Sequence, residues 1–595
     1  LELTVKLLEG EIGIARVIGR RATVRFEGEL TLPPLQGICT ELRSLAGDYD
    51  GARYGLVVEP RTAFLRLRRD HRIIRDAKAP ALAKAIIAPL AERVGEVHCD
   101  DESDLPTHDY RVQYGETDWD ALRRLLAEDG VSFVYDFDTS CDLRLVPDTT
   151  RLELARRTLP YLAGAGLGAT DDRVVARVAV VAAARVESTR VSDEWVDRPD
   201  FDATASAALA REGATLEDYF FEPGVLDSEG ELGRQARLRL LEVAVPATTL
   251  EVETNALVLP GTVLAIENAP VPAAERELLV VAVKSRWSAG REQAQTVHVL
   301  TCIDRRRRWV PPRLPKVRIA GIQRATIVGE GEIDVDALGR VLCCFRWDRG
   351  KLTSRRVEVS QAWAGAGYGH FAQPRVGDRV LVSYLDGDPD EPIVVGRVHD
   401  AKNVHPLSLP EQADTSTWCT KSTPGGEGYN EIGLCDTAGA ELFWTHAQLD
   451  AEHVVGRDVR GAVGRDFTLD VARHTTMNLT GLTSVSAASP TTWKGVDLDI
   501  DADGHLAIKS NSRRDTVTAD FDLSVGGNYN VVAGAGEYHT TPHLQVIASS
   551  QIFLTVGGSF LLLKPGSITL ACGGSTLTMT PGKMTLVSPL IELNP

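Results

Sequence analysis

Residues 551–587 read QIFLTVGGSFLLLKPGSITLACGGSTLTMTPGKMTLV. Apolar residues alternate along it in short runs: Ile552, Leu554 and Val556; Ile568 and Leu570; Leu577 and Met579; Met584 and Leu586. A period of two predicts β-strands. Glycines punctuate them on an eight-residue spacing at Gly558, Gly566, Gly574 and Gly582, and earlier at Gly526 and Gly534. Further back, Phe467, Leu469 and Val471, then Phe521, Leu523 and Val525, repeat the alternation, while Gly456-Arg457-Asp458 returns as Gly464-Arg465-Asp466 in another phase. A short fixed period marks a stack whose units bury their faces only against neighbours. One copy would leave open strand edges along its whole length. Winding several chains round one axis, with glycine at the corners, removes those edges. Residues 454–595 therefore predict an intertwined, oligomeric β-helix or prism. The rhythm lapses between about 475 and 520, where Gly481, Gly495 and Gly504 share no beat.

The whole chain of 595 residues leaves room for about four domains. Its 43% hydrophobic and 25% charged residues are those of an ordinary globular protein. A net charge of −18 argues against nucleic acid or anionic lipid as partner. The nine cysteines, scattered singly apart from Cys343-Cys344 and without a CxxC, argue against a disulfide framework or zinc ribbon. No apolar run reaches the ~20 residues that span a bilayer, and no leader pattern opens the sequence, so synthesis in the cytoplasm without a classical export signal is expected.

Residues 1–303 read as mixed with strands dominating, including strand-like runs at 22–26, 54–58 and 64–67. A helix is expected over 79–92, with Leu82, Ile86 and Leu90 on one face and Pro89 kinking or shortening it. Thr117 caps a second, with Asp118 and Asp120 in its first turn, Leu122, Leu125 and Leu126 as the buried stripe and Gly130 past its end. A strand follows over 131–137. A third helix is expected over 231–243, where Arg234, Arg237 and Arg239 make a solvated face or meet another subunit. Residues 304–317, with Arg305 to Arg308, Trp309, Pro311, Pro312 and Pro315, form an extended linker suited to an acidic neighbouring surface. Five short strands between 318 and 400, at 325–328, 341–345, 357–359, 380–384 and 393–398, suggest an OB-type barrel. A connector, 401–453, precedes the repeat.

The barrel carries three long motifs. Asp336-Ala337-Leu338-Gly339-Arg340-Val341 leads to Phe345-Arg346-Trp347-Asp348; Gln361-Ala362-Trp363-Ala364-Gly365 leads to Gly369; Pro374-Arg375-Val376-Gly377 leads to Gly387-Asp388-Pro389-Asp390 and Pro392-Ile393-Val394-Val395-Gly396-Arg397-Val398. Together they resemble the OB-domain signature of the VgrG family, the valine-glycine repeat spike proteins of type VI secretion systems. Gln113-Tyr114-Gly115-Glu116-Thr117-Asp118, Arg124-Leu125-Leu126 and Glu128-Asp129-Gly130 are similar to the family's QYxExD and RLLxxEG stretch. Tyr219 to Gly224 with Ala236-Arg237 resembles its hub elements, and Gly425-Gly426, Asn430-Glu431, Asp436, Phe443 and His446-Ala447-Gln448 resemble the passage into the spike.

The resemblance implies a mainly β homotrimer: a phage-hub-like base of two β-barrel subdomains with a few helices, an OB-fold collar and the prism as puncturing needle. It implies a hexameric Hcp-like tube protein at the base, baseplate components, a PAAR-repeat tip protein at the far end and effectors as cargo. Secretion into a target envelope or the medium follows from the same resemblance. Leu590, Ile591, Glu592, Leu593, Asn594 and Pro595 are the expected tip-docking residues, as three copies make a small apolar platform with unpaired strand edges. Residues 400–439 are too few for the lysozyme domain that related phage spikes insert there, and a C-terminal toxin is not expected.

No catalytic residue, cofactor or metal site is expected. Asp497, Asp499, Asp501 and Asp503 match the opening of a calcium loop, but the position for its bidentate Glu is Ser510, so they read as an exposed strand face. His539 and His543 share a parity that could ring an axis, and read instead as exposed turn residues beside Pro542. HExxH, Gly-x-Ser-x-Gly and phosphate-loop patterns are absent from the sequence. The alternatives are the hub-spike of a phage tail or extracellular contractile particle, and, more remotely, a β-helical polysaccharide-degrading enzyme.

Overall fold

The fold is given by a computed structural model, which describes every residue except 1, 8–12, 26–33, 49–50, 137–141, 153, 164–172, 210–215, 222–227, 290–293, 482, 485, 487–490, 493, 495–498, 511–512, 531–544 and 593–595. Two units separate, Leu1–Arg460 and Gly461–Pro595.

In the first unit, one hydrophobic core joins two helices. Ala79–Ile87 ends where Pro89 removes a donor, and the chain continues as a 3-10 turn, Ala88–Leu90, and a short helix, Ala91–Val94. Asp118–Glu128 starts at Thr117, whose hydroxyl accepts from the Asp120 N–H at 3.1 Å. Leu82, Ala83 and Ile86 of one pack with Leu122, Leu125 and Leu126 of the other and with Leu143 and Leu145. Arg61–Leu67 forms a 3-10 helix, so the run at 64–67 is not a strand. Its lone exposed leucine, Leu67, breaks the alternation that a strand face would need.

Six strands between Ala155 and Asp304 form one sheet, whose two edge strands, Ala155–Pro160 and Val175–Ala182, are linked by a single bridge from Tyr161 to Val175. Strands between Glu2 and Glu59 form a four-stranded open sheet. The six-stranded sheet thus curls until its edge strands touch. The helix Glu229–Ala244, capped by Ser228, buries Leu232 and Ala236 against Val191, Trp195 and Ala203.

The five expected strands of the next segment are Gln323–Val328, Val341–Phe345, Thr353–Val359, Arg379–Tyr384 and Pro392–Arg397, and they close into a barrel. Their inward residues, Ala325, Ile327, Val341, Cys343, Phe345, Val380 and Val382, share one core with Ile73, Tyr110 and Val112 of the base. The paired strands Arg69–Ala77 and His108–Thr117 therefore pack against the barrel's core. A three-stranded sheet, Thr415–Cys419, Glu431–Cys435 and Leu442–His446, lies within the connector.

The second unit differs along its length. Between 451 and 550 the described residues bend without pairing into strands, and bends at 456–457, 464–465 and 472–473 keep the eight-residue spacing. From Ile552 to Val587 five strands form a meander of successive antiparallel hairpins. Each strand pairs with its predecessor in the same chain, because two-residue turns return it directly onto that neighbour.

Candidate functional site

A dense polar constellation lies where base, linker and barrel meet. It is assembled by the motif 113–130. Gln113, inside its strand, donates to Glu116 O at 3.2 Å and to Asp118 Oδ1 at 2.9 Å, bracing the strand end around Gly115 (φ 64°). Asp118 is fully buried and accepts from Arg68 Nη1 at 2.6 Å and Arg72 Nη2 at 2.8 Å. Nearly two turns along the helix, Arg124 donates through Nη2 and Nε to Glu116 at 2.6 and 3.2 Å, through Nη1 to Glu128 at 3.1 Å, and through Nη2 to Val112 O at 2.8 Å. A guanidinium is the one side chain with enough donors for such a fork.

The barrel answers from its own motifs. Asp390 accepts from the Val112 N–H at 2.8 Å and pairs with Arg111 at 3.4 Å. Asp348 accepts from the Ile73 N–H at 3.3 Å and the Leu352 N–H at 2.7 Å. Arg75 reaches Thr353 Oγ1 at 2.7 Å, and Tyr114 takes a bond from Gln323 Nε2 at 2.5 Å while standing edge-on to Trp347.

The linker is inlaid between them. Trp309 N–H donates to Thr149 at 2.7 Å, Arg313 N–H to Glu242 at 2.7 Å, and Lys316 Nζ to Asp388 at 2.6 Å. Arg305 pairs with Glu277 at 3.0 Å, and Arg308 donates to Gly130 O at 3.1 Å. Of the three arginines of the third helix, Arg237 stays exposed as a solvated face would have it, while Arg234 and Arg239 turn inward. Arg234 pairs with Glu231 at 2.6 Å and Asp129 at 3.2 Å, and Arg239 lies 3.9 Å over the Phe220 ring. These two contacts are neither solvated nor between subunits, because Asp129 and Phe220 belong to the same unit.

Burial would raise the Glu128 carboxyl, yet Lys316, Arg124, Arg111 and Arg313 hold it well below its ordinary range. Burial would likewise lower Lys316 and Arg124, and their carboxylate neighbours raise both. Glu128, Lys316 and Arg124 stay ionised because each faces the opposite sign at short range, whereas burial and the neighbouring Asp388 push the Asp390 carboxyl up. A cleft of about 650 Å³ beside them is lined by Arg111, Glu128, Arg239, Arg313, Lys316 and Asp388. With both signs present and engaged, the arrangement joins base, linker and barrel.

The residues expected at the far end are distributed differently. Leu590 is 71% exposed and Ile591 46% exposed, and Glu592 is exposed too; Leu593, Asn594 and Pro595 lie outside the described residues. Ser588 Oγ bridges Ser575 Oγ and Leu590 O, both at 2.7 Å, fastening this segment to the meander. Gly558, Gly566, Gly574 and Gly582 sit in the hairpin turns, Gly456, Gly464 and Gly526 at bends, and Gly534 lies outside the described residues. Asp499, Asp501 and Asp503 are exposed; Asp497, His539 and His543 lie outside the described residues. Among the described residues no group of three or more His, Cys, Asp or Glu side chains is placed to hold a metal. Sequence reasoning quoted Asp348 and Asp390 only as motif members, and it missed Arg313 and Lys316, whose one signal was their place among linker prolines.

Residues 1–291 match the phage tail baseplate hub (GPD) family, 323–399 the type VI secretion system/phage-baseplate injector OB domain, and 416–541 the bacteriophage T4 gp5 C-terminal trimerisation domain. The type VI secretion system spike protein VgrG4b of Pseudomonas aeruginosa is 29% identical over 514 residues, 77% of this chain and 62% of that protein. The actin cross-linking toxin VgrG1 of Vibrio cholerae is 30% identical over 423 residues, 68% of this chain and 38% of that protein. The chain thus spans less than two thirds of these relatives' length. A solved E. coli type VI secretion component, described as similar to T4 bacteriophage tail proteins gp27 and gp5, aligns with TM-score 0.48 and 19% identity over 67% of this chain and 92% of that one.

Proposed function

This chain belongs to the VgrG family of spike proteins, and we propose that it works as the trimeric, membrane-puncturing needle of a type VI secretion system. The observation that carries the proposal is the state of the second unit as a single copy. Phe467 is 78% exposed, Leu469 68%, Phe521 66% and Leu523 56%, on alternate positions of segments that find no strand partner in their own chain among the described residues. Rows of large apolar side chains on unpaired backbone need other copies to cover them. The match of 416–541 to a trimerisation domain supports three.

In this reading the work is mechanical and non-catalytic. The base rests on a hexameric Hcp-like tube among baseplate components, the apolar end around Leu590 and Ile591 docks a PAAR-type tip protein, and effectors ride on the tip or the needle's sides. The protein assembles in the cytoplasm and leaves with the contracting machine. The buried junction would keep collar and base together under axial load, since opening it strands several charges at once.

Light scattering on the full chain and on a version ending at Val398 tests this. The full chain is expected near three times 64.5 kDa and the shortened one at a lower order. A soluble full-length monomer would overturn the proposal.

A further inference from the structure

The last strands carry a relationship that goes beyond a trimeric needle, although it rests on that reading. Residues 557–572, GGSFLLLKPGSITLAC, and 573–588, GGSTLTMTPGKMTLVS, are two copies of one sixteen-residue unit. Gly-Gly-Ser, the leucine two places on, Pro-Gly and Thr-Leu recur at the same positions. A chain that steps from face to face round a prism by one kind of corner repeats with every strand. A chain that folds back on itself needs two turns, one at each end of the sheet, and so repeats every second strand.

The backbone follows the second rule. Gly557-Gly558 and Gly573-Gly574 carry positive φ at their first residue (57° and 60°), as II′ hairpin turns do. Pro565-Gly566 and Pro581-Gly582 carry it at the second (79° and 78°), as type II turns with proline ahead of glycine do. Because successive strands are antiparallel, the Gly-Gly turns share one end of the sheet and the Pro-Gly turns the other.

Register then sorts the side chains. Leu554, Leu561, Leu570, Leu577 and Leu586 are successive cross-strand partners over all five strands, and so are Ile552, Leu563, Ile568, Met579 and Met584. The opposite face carries the row Phe553, Leu562, Thr569, Thr578 and Thr585. Two unbroken aliphatic rows thus share one face, with Leu554 at 58% and Met584 at 70% exposure.

We infer that residues 552–587 form a self-paired sheet in each chain, and that its aliphatic face is covered by the same face of further copies. The needle then ends in a prism of whole sheets packed side by side, in place of interwoven strands. The occupant is this chain itself for two reasons. Neither row holds a charge that a different partner could read, and the segment matching a trimerisation domain ends at 541, eleven residues before the first strand. Copies gathered there deliver identical faces to one another.

Engineered disulfides in the full chain test this, in a Cys572→Ser background. Thr569 and Thr578 are cross-strand partners three pairs beyond the Cys572/Ser575 pair that closes the tight turn, a non-hydrogen-bonded position suited to a disulfide. Thr569→Cys/Thr578→Cys is expected to oxidise within one chain, giving a single-chain mass under denaturing, non-reducing conditions. Leu577→Cys alone, on the aliphatic face, is expected to give covalent dimers. Mixing a Thr569→Cys chain with a Thr578→Cys chain is expected to give no bond between them. A 569–578 bond between chains, or none in either experiment, overturns the self-paired sheet, and failure of Leu577→Cys to cross-link overturns the face packing. Native mass read on the same samples separates this from the needle reading, since a monomer sinks the latter and a trimer with interchain 569–578 bonds sinks only the former.

Discussion

The Val112 N–H donates to Asp390 Oδ1 at 2.8 Å, fastening a strand of the base to a barrel loop 278 residues away in sequence. Asp390 is 2% exposed and also faces Arg111 and Lys316, so it is the point where base, linker and barrel hold one another.

Replacing Asp390 by Ala should therefore destabilise the first unit by about 3–5 kcal/mol, the range for removing one partner of a buried ionic group. Asp390→Asn keeps an acceptor for Val112 and should lose less. Denaturant unfolding, with tryptophan fluorescence reporting on Trp347 beside the junction, measures both. Equal losses would mean that charge alone matters.

Arg124→Lys tests geometry at constant charge. An ammonium cannot reach Glu116, Glu128 and the Val112 carbonyl together, so a loss of about 2 kcal/mol or more is expected. The measurement is the same unfolding curve, and a change within about 0.5 kcal/mol would refute the fork.

His298 gives a pH dependence. Burial, with Arg173 adding to it, lowers its pKa from 6.5 to about 4, while Nδ1 hydrogen-bonds Ser285 Oγ at 2.7 Å. Above 6.5 the imidazole is neutral folded or unfolded and contributes no slope. Between 6.5 and about 4 only the unfolded chain takes the proton, so stability should fall with pH by at most about 1.4 kcal/mol per unit. Thermal midpoints over this range should drop less steeply in His298→Gln, whatever its stability at neutral pH.

Gly130 ends the helix Asp118–Glu128 at φ 66°, and a Cβ there would stand 2.4 Å from Leu238 Cδ2 of the third helix. Gly130→Ala combines left-handed backbone with a forced shift of that leucine and should destabilise by about 1–3 kcal/mol. Calorimetry on the full chain would read it as a lowered first transition.

Much of this was legible beforehand because it is local. Thr117 as cap, Pro89 as the break, Gly130 past the helix end and the five barrel strands follow from short-range rules of backbone and periodicity, and the structure places them within a few residues of expectation. The run at 64–67 misled because four apolar-rich positions fit a tight helix as well as a strand.

The sequence by itself determined the elements and the eight-residue beat, since turns, caps and alternation depend on neighbours a few residues apart. It also left the second unit's apolar rows in need of cover. Only tertiary structure decided which charges meet. Arg111, Arg124, Lys316, Glu128 and Asp390 are five among many, and nothing local selects partners nearly 280 residues distant; the shared barrel core does so by fixing strands Arg69–Ala77 and His108–Thr117 against it. It likewise decided the register of the terminal strands, because two-residue turns place each strand beside its predecessor.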